Sequence, residues 1–362
     1  MFKSNKKIII ATGGTGGHIF PSLSLHESLN KKFHIEITTD KRGMNYLGDK
    51  TNLRIKLIDS SPFFKKNILK SVISFFKIII ATVLSVIFLF KSKAKLVVGM
   101  GGYSSFPVCV AALLLGKKII IYENNLVLGK TNKILIPFAE KILVSTDSVA
   151  GINPRYKNKV FFSGYFLRKN LFNVKKNDGD YNTKDLSLLI LGGSQSAKIF
   201  SKLVPDVLTA CKRENIKFKI YQQCRLDDEN DLKKNYKENN FNFELFIFSS
   251  DLSKYYEKAD IAITRSGASS IAELTNSRTP FIAIPLPSSA DNHQQENASY
   301  FEKKGYCILL NEKDIKRKLF EILKDLNNDR KKLFLMKDKM KQHSDENSSD
   351  KASELIERIL NA

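Results

Sequence analysis

Short apolar runs rich in β-branched residues recur along the chain, and each stops at a glycine or a polar turn. Ile8–Thr12 is the first; a glycine-rich turn over Gly13–Gly17 follows, then a helix predicted from about Pro21 to Asn30. Ile35–Thr39 reads as a second strand. Leu96–Gly99 is a strand entering another glycine turn, Gly101–Gly102, and Lys118–Tyr122 and Lys141–Ser145 are further strands between helical stretches. Strands alternating with helices predict a parallel, doubly wound sheet, because parallel neighbours need a long crossover. Over 175–184 the chain turns polar and rich in structure breakers, as a linker does. The pattern then restarts with strand Leu186–Leu191, turn Gly192–Gly193, a helix over about Ile199–Arg213 and strand Phe218–Tyr221. Ile261–Thr264 and Phe281–Ile284 are later strands, and Glu312–Leu360 carries apolar residues at helical spacing, such as Leu319, Ile322, Leu323 and Leu326. The expected fold class is α/β, with two Rossmann-like doubly wound domains. Residues 1–174 and 185–340 are expected to form them, with 341–362 as a closing helix. Ligands of open parallel sheets collect at the carboxyl ends of the strands. Two such domains facing each other would therefore hold two ligands in one cleft.

Val72–Phe90 is the most apolar stretch, interrupted by Lys77 and flanked by Lys65, Lys66, Lys70, Lys91, Lys93 and Lys95. Its length admits a transmembrane helix. A span here would split the sheet that continues on both sides, and a buried crossover helix is the ordinary alternative. A third reading has one face in the fold and the other in the bilayer surface, with lysines meeting anionic head groups.

Charge fits that third reading without deciding it. Across 362 residues, Lys+Arg 59 against Asp+Glu 37 gives a formal net charge of +22, a field that attracts nucleic acid, anionic membrane or phosphorylated substrates alike. The lysines are dispersed and Trp is absent, which argues against a nucleic-acid module. Cys109, Cys211, Cys224 and Cys307 are scattered with no CxxC pair, so reduced thiols are expected rather than a disulfide framework or zinc site. The apolar run after the basic Met1–Lys7 is too short for a signal segment, so nothing marks the chain for export.

Candidate chemistry sits at the strand ends. Gly13-Gly14-Thr15-Gly16-Gly17-His18 joins a strand to a helix, where glycines let the backbone approach a ligand and free N–H groups attract phosphate. It is neither the dinucleotide fingerprint nor a Walker loop. A nicotinamide enzyme would also need an acid after the second strand, for which Asp40 is the only candidate. A tight turn for packing alone is the plain alternative. His18 is suited either to take a proton from a sugar hydroxyl or merely to orient the loop. Gly101-Gly102-Tyr103 and Gly192-Gly193-Ser194 are two more such turns. In Arg265–Glu273 the small residues leave N–H groups accessible to a diphosphate, and Glu273 could accept both hydroxyls of a ribose or stand as a solvated helix charge. Asp291–Gln295 offers side-chain amides to a sugar, or simply starts a helix. No metal-binding acidic motif is evident, so neither a metal nor a cofactor is expected, and helix-start N–H groups would stabilise the leaving group.

Together these segments resemble the MurG family of peptidoglycan glycosyltransferases. The matching blocks are Gly13–Pro21, Gly101–Pro107, Tyr122–Lys133, Gly192–Ala197, Arg265–Leu274 and Pro285–Ala298, in family order over most of the chain. The resemblance implies a GT-B fold and inverting transfer of N-acetylglucosamine from UDP-GlcNAc to undecaprenyl-diphosphate-MurNAc-peptide (lipid I), giving lipid II. Another lipid acceptor, such as diacylglycerol, is the alternative. It implies donor contacts from Thr15, Gly16, Gly17, Asn125 and Arg168 in the first domain. In the second it implies Ser194, Ser249, the helix start Ala268, Ser269, Ser270, Ile271, Ala272 and Glu273, and Gln294. The acceptor diphosphate would rest on Gly13, Gly14, Gly101, Gly102 and Tyr103. His18 would be the base, with Glu123 as the fallback. A peripheral place on the cytoplasmic face of the bacterial inner membrane is implied, docked through 72–90, with no nucleic-acid partner and room for other cell-wall enzymes. Tyr122-Glu123-Asn124-Asn125 stands where the family has His-Glu-Gln-Asn, and Tyr165-Phe166-Leu167 where Asn-Pro-Val is typical.

Overall fold

The β-branched runs assemble into two separate parallel sheets in the computed structural model, which describes residues 4–47, 53–62, 68–174, 185–249 and 251–362, with side chains outside 68–70 and 194–197. The expected linker at 175–184 lies outside the described residues. The chain divides into two compact units, Met1–Arg168 with Asp345–Ala362, and Lys169–Ser344.

The first unit runs β1 (Lys7–Ala11), α1 (Gly16–Leu29), β2 (His34–Thr39), α2 (Lys41–Leu47), β3 (Ile55–Leu57), α3 (Ile68–Ser92), β4 (Leu96–Gly99), α4 (Gly102–Leu114), β5 (Lys118–Glu123), α5 (Lys130–Leu135), β6 (Lys141–Val144) and β7 (Val160–Phe162). Its strands lie in the order β3-β2-β1-β4-β5-β6-β7, all parallel. The order reverses beside β1, so the turns after β1 and β4 flank the crevice where open sheets bind ligands. The strands are apolar on both faces because helices cover both: Ile8 and Ile10 pack with Ile19 and Leu25 of α1, while Ile9 and Ala11 pack with Ala81 and Leu89 of α3.

The second unit runs β8 (Leu186–Leu191), α6 (Gly193–Arg213), β9 (Phe218–Gln223), α7 (Leu226–Glu238), β10 (Asn242–Phe246), α8 (Ser253–Lys258), β11 (Ile261–Thr264), α9 (Ala268–Asn276), β12 (Phe281–Ala283), α10 (His293–Lys303), β13 (Cys307–Leu309), α11 (Ile315–Asn328) and α12 (Lys331–Met340). The order β10-β9-β8-β11-β12-β13, again all parallel, puts its switch point between β8 and β11. The last helix, α13 (Ser348–Asn361), belongs to the first unit, where Ala352 and Ile356 join the core against α1.

Helix α1 begins at Gly16, earlier than the apolar spacing suggested, because its first turn is Gly16, Gly17 and His18. Pro21 then lies inside the helix and cannot donate to the carbonyl of Gly17. Asn124 Nδ2 donates to that carbonyl instead, at 2.8 Å. Pro107 in α4 likewise leaves the Tyr103 carbonyl without its helical donor, and Ser60 Oγ approaches it at 3.4 Å. Both prolines free a carbonyl within a turn of the crevice, and side chains from other elements take it up.

Candidate active site

In the first unit the turns after β1 and β4 meet. Gly14 takes φ +83° and Gly101 +85°, conformations that exclude most side chains. Close approach constrains Gly13 as well: a Cβ there would lie 2.7 Å from Ser104 Cβ and 2.9 Å from Asp40 Oδ1. A Cβ on Gly102 would lie 3.2 Å from His18 Nε2, so the imidazole rests directly on the second turn. His18 is half-buried, and its carbonyl accepts from Thr12 Oγ1 at 3.0 Å. Thr15 is exposed and precedes the helix, its carbonyl accepting from the N–H groups of His18 and Ile19. Gly16 approaches the Phe20 ring, and the Gly17 carbonyl is the one taken by Asn124.

Asp40, at the end of β2, ties this arrangement together. Its buried carboxylate accepts from the N–H groups of Gly14 and Gly43, each at 2.9 Å, from Ser104 Oγ at 2.8 Å, and from the Arg42 guanidinium at 3.1 Å. Burial alone pushes this carboxyl up; the two N–H donors, Ser104 and Arg42 outweigh it and hold the group below its ordinary value. The Arg42 guanidinium also lies 4.8 Å from the centre of the Tyr103 ring. Burial raises the Tyr103 hydroxyl, and the positive charge of Arg42 opposes that rise.

Glu123 is buried at the end of β5. One carboxylate oxygen accepts from the N–H and side-chain amide of Asn125, at 3.1 and 3.0 Å; the other accepts from the Gly129 N–H and Asn132 Nδ2, at 2.8 and 3.0 Å. Four N–H donors on one carboxylate make it the anchor of the loop between β5 and α5. Asn125 is drawn into this anchor, its side-chain amide also donating to Asn124 Oδ1 at 3.0 Å. Arg168 sits with its guanidinium 4.9 Å from the centre of the Phe20 ring.

In the second unit, Gly193 takes φ +62° and donates its N–H to Gln223 Oε1 at 3.1 Å, and among the described residues nothing lies within 4 Å of where its Cβ would be. Ser194 falls in the first turn of α6, its side chain outside the described residues. After β11, α9 opens on Ala268, Ser269 and Ser270, with Ala268 buried and both serines half-buried. Ile271 and Ala272 are buried in the core behind them. Glu273 is buried one turn further on and accepts from Tyr256 OH at 2.8 Å. The ends of neighbouring strands are cross-linked. Arg265 donates to the carbonyls of Ile284 and Pro285, each at 3.2 Å, and pairs with Glu312. Gln294 Oε1 accepts from the Leu286 N–H at 3.0 Å, and Asn297 Nδ2 donates to the Ser266 carbonyl at 3.0 Å. Asp291 and Asn292 both take positive φ, +49° and +55°, immediately before α10. Ser249 lies after β10, bonded to the Asp251 backbone.

Residues 8–144 match the glycosyltransferase family 28 N-terminal domain and residues 187–355 its C-terminal domain. A transferase of Pelagibacter ubique, named UDP-N-acetylglucosamine–N-acetylmuramyl-(pentapeptide) pyrophosphoryl-undecaprenol N-acetylglucosamine transferase, is 38% identical over 360 residues, covering 99% of both chains. The chain belongs to the MurG family. A Francisella tularensis relative of the same name is 32% identical over the full length of both. The crystal structure of Acinetobacter baumannii MurG superposes with a TM-score of 0.77 at 26% identity, covering 98% of this chain and 99% of that one. The fold is GT-B, as in MurG and, at 14% identity and a TM-score of 0.68, Staphylococcus aureus MnaA in its structure with UDP.

Among the residues that sequence reasoning passed over, Asn124, Asn132, Ser104 and Arg42 all bond groups of the crevice. Asn124, Asn132 and Ser104 lay inside the motif blocks, and Asn124 also carried a local signal, a polar run directly after a buried strand; Arg42 lay outside every block.

Proposed function

We propose that this chain transfers N-acetylglucosamine from UDP-GlcNAc to undecaprenyl-diphosphate-MurNAc-peptide, inverting the anomeric carbon. The full-length relation to transferases named for that reaction carries the reading. The two sheets support it, each with glycine turns at its switch point, because such turns present N–H groups to phosphate oxygens. Residues of the second unit, from Gly193 and Ala268 to Glu273 and Gln294, hold the donor. N–H groups at the start of α9 spread the charge of the departing UDP.

In the first unit the paired glycine turns take the acceptor diphosphate, and His18 is the base that accepts the proton of the attacking sugar hydroxyl. Its imidazole lies on the second turn, whereas the lone pairs of Glu123 are already occupied by four N–H groups. Incubating the purified protein with UDP-GlcNAc and either lipid-linked MurNAc-pentapeptide or diacylglycerol, and weighing the products, tests this. A glycosylated diacylglycerol with no disaccharide-linked lipid would overturn it.

The chain docks on an anionic membrane through α3. Val72, Ile73, Phe75, Phe76, Ile79, Ile80, Val83, Leu84, Ile87 and Phe90 are exposed along one side of this helix, at the spacing of a helical face. The opposite side, Ile78, Ala81 and Leu89, is buried toward the sheet and α4, which supports a helix lying in the membrane surface over one that crosses it. Phe88 points toward the core, so the face is better tested by Phe75→Ser, Phe76→Ser and Ile80→Ser together. This triple variant is expected to be lost from phosphatidylglycerol vesicles on flotation; undiminished flotation would remove α3 from the docking surface.

A further inference from the structure

We propose that Arg42 is an acceptor-diphosphate residue, held over the two glycine turns of the first unit by Asp40. The proposal rests on the reading that a lipid-linked diphosphate is the acceptor. Arg42 lies in the first turn of α2, directly after β2, on the same end of the sheet as the turns following β1 and β4. Its guanidinium touches both turns. Nη2 would be 2.9 Å from a Cβ on Gly14, and the guanidinium carbon is 4.8 Å from the centre of the Tyr103 ring. Two N–H groups, on Nε and Nη2, point to Asp40 Oδ2 at 3.3 and 3.1 Å.

The two partners differ in what they can do. The Asp40 side chain is 3% exposed, and the groups around it are donors of the protein itself. It therefore positions others and meets no ligand. The Arg42 side chain is 49% exposed. A guanidinium carries five N–H donors in a rigid fork, so two can be fixed by Asp40 while the remainder bond phosphate oxygens. Packing against Tyr103 and bonding to Asp40 set the direction of that fork before a ligand arrives, which lowers the entropy lost on binding. The arrangement adds a cation to a cradle otherwise made of backbone N–H groups. A charged guanidinium bonds phosphate oxygens more strongly than a neutral N–H does.

Steady-state kinetics of the full-length protein, with UDP-GlcNAc and lipid-linked MurNAc-pentapeptide varied in turn, provide the test. Calorimetric titrations with UDP and with geranyl diphosphate accompany them. Arg42→Ala is expected to raise the acceptor KM roughly tenfold to a hundredfold, the factor for charge-assisted hydrogen bonds lost. It should weaken geranyl diphosphate by a similar factor and leave kcat and UDP affinity unchanged. Arg42→Lys should recover part of the loss, since the charge returns without the fork. Asp40→Asn should raise the same KM by less. An unchanged acceptor KM, or a loss falling on UDP instead, would overturn the assignment. So would a fall in kcat and melting temperature with KM intact, which would mark a scaffold residue. Absence of transfer by the wild-type protein would sink the functional reading instead; geranyl diphosphate binding then decides Arg42 by itself, and equal binding by wild type and Arg42→Ala overturns it.

Discussion

The turns after β1 and β4 in the first unit are bonded to each other and to their surroundings by buried side chains, Asp40 and Asn124 above all. At the corresponding switch point of the second unit, the turn after β8 has its Gly193 N–H on the half-buried Gln223 side-chain oxygen, and no described atom lies within 4 Å of where its Cβ would be. The strong bonds there lie deeper, from Arg265 to the ends of β12 and from Asn297 to Ser266. One topology thus supports a cradle tied by buried side chains and another whose described supports lie away from the turn itself. A cradle tied in advance suits a ligand of constant headgroup, a diphosphate; a less tied turn suits a nucleotide sugar that must enter and leave as UDP.

Adding a methyl group at each turn is the sharpest way to break this contrast. Gly13→Ala forces a Cβ against Ser104 Cβ and Asp40 in a backbone conformation that alanine avoids. We expect a loss of about 2–4 kcal/mol in stability, strain and overpacking together, with kcat/KM reduced at least a hundredfold. Gly193→Ala meets the strain of its positive φ, about 1–2 kcal/mol, and no clash with the described residues. Equal melting temperatures for the two variants would show that the first cradle is no tighter than the second. Next in size is His18→Ala, expected to lower kcat by roughly 10²–10⁴ with UDP affinity intact, because a base acts only in the transition state. Turnover at the wild-type rate would remove the imidazole from the mechanism. In the second unit, Glu273→Ala removes the carboxylate oxygen that accepts from the Tyr256 hydroxyl and should weaken UDP by about tenfold, while Glu273→Gln keeps an acceptor there and should lose less. UDP titrations that read the same for both variants and the wild type would reject a ribose role.

The two parallel sheets were legible where a strand is an apolar run closed by glycine or a polar residue, as in Lys118–Glu123, whereas the shorter or more polar β3, β7, β10 and β13 and the strand order were not. The start of α1 was not, because Gly16 and Gly17 have poor helix propensity and the first turn is held by tertiary bonds, such as Asn124 to Gly17. Departures from the family pattern at Tyr122 and at Tyr165-Phe166-Leu167 looked independent in the sequence. In the fold the Tyr122 ring stacks on Phe166, centroids 4.3 Å apart and 14° from parallel, so each substitution accommodates the other. Proximity of this kind, across about forty residues, has no local signal. Asp40 was read only as the acid a nicotinamide enzyme would need. Its real partners, Gly14 and Ser104, come from two other loops, and nothing in the spacing announces that the sheet brings them together.

The smallest effect expected concerns the charge on Asp40, and it tests whether the first cradle is tied by an ion or only by shape. Burial by itself favours the neutral acid, but the N–H groups of Gly14 and Gly43, the Ser104 hydroxyl and Arg42 bond the carboxylate and prevail, lowering it from the ordinary 3.8. The folded state therefore binds fewer protons here than the unfolded chain. The carboxylate adds stability that is fully present above that ordinary value and fades as pH falls through the lower folded value. Asp40→Asn keeps the size but cannot carry the charge. Its melting temperature should lie below the wild type at pH 7, and the gap should narrow as pH drops past 3.8. Thermal melts at matched pH values measure this directly. A gap that stays constant into acid would mean that the two glycine turns are joined through packing and neutral hydrogen bonds, with the ionised carboxylate incidental to the cradle.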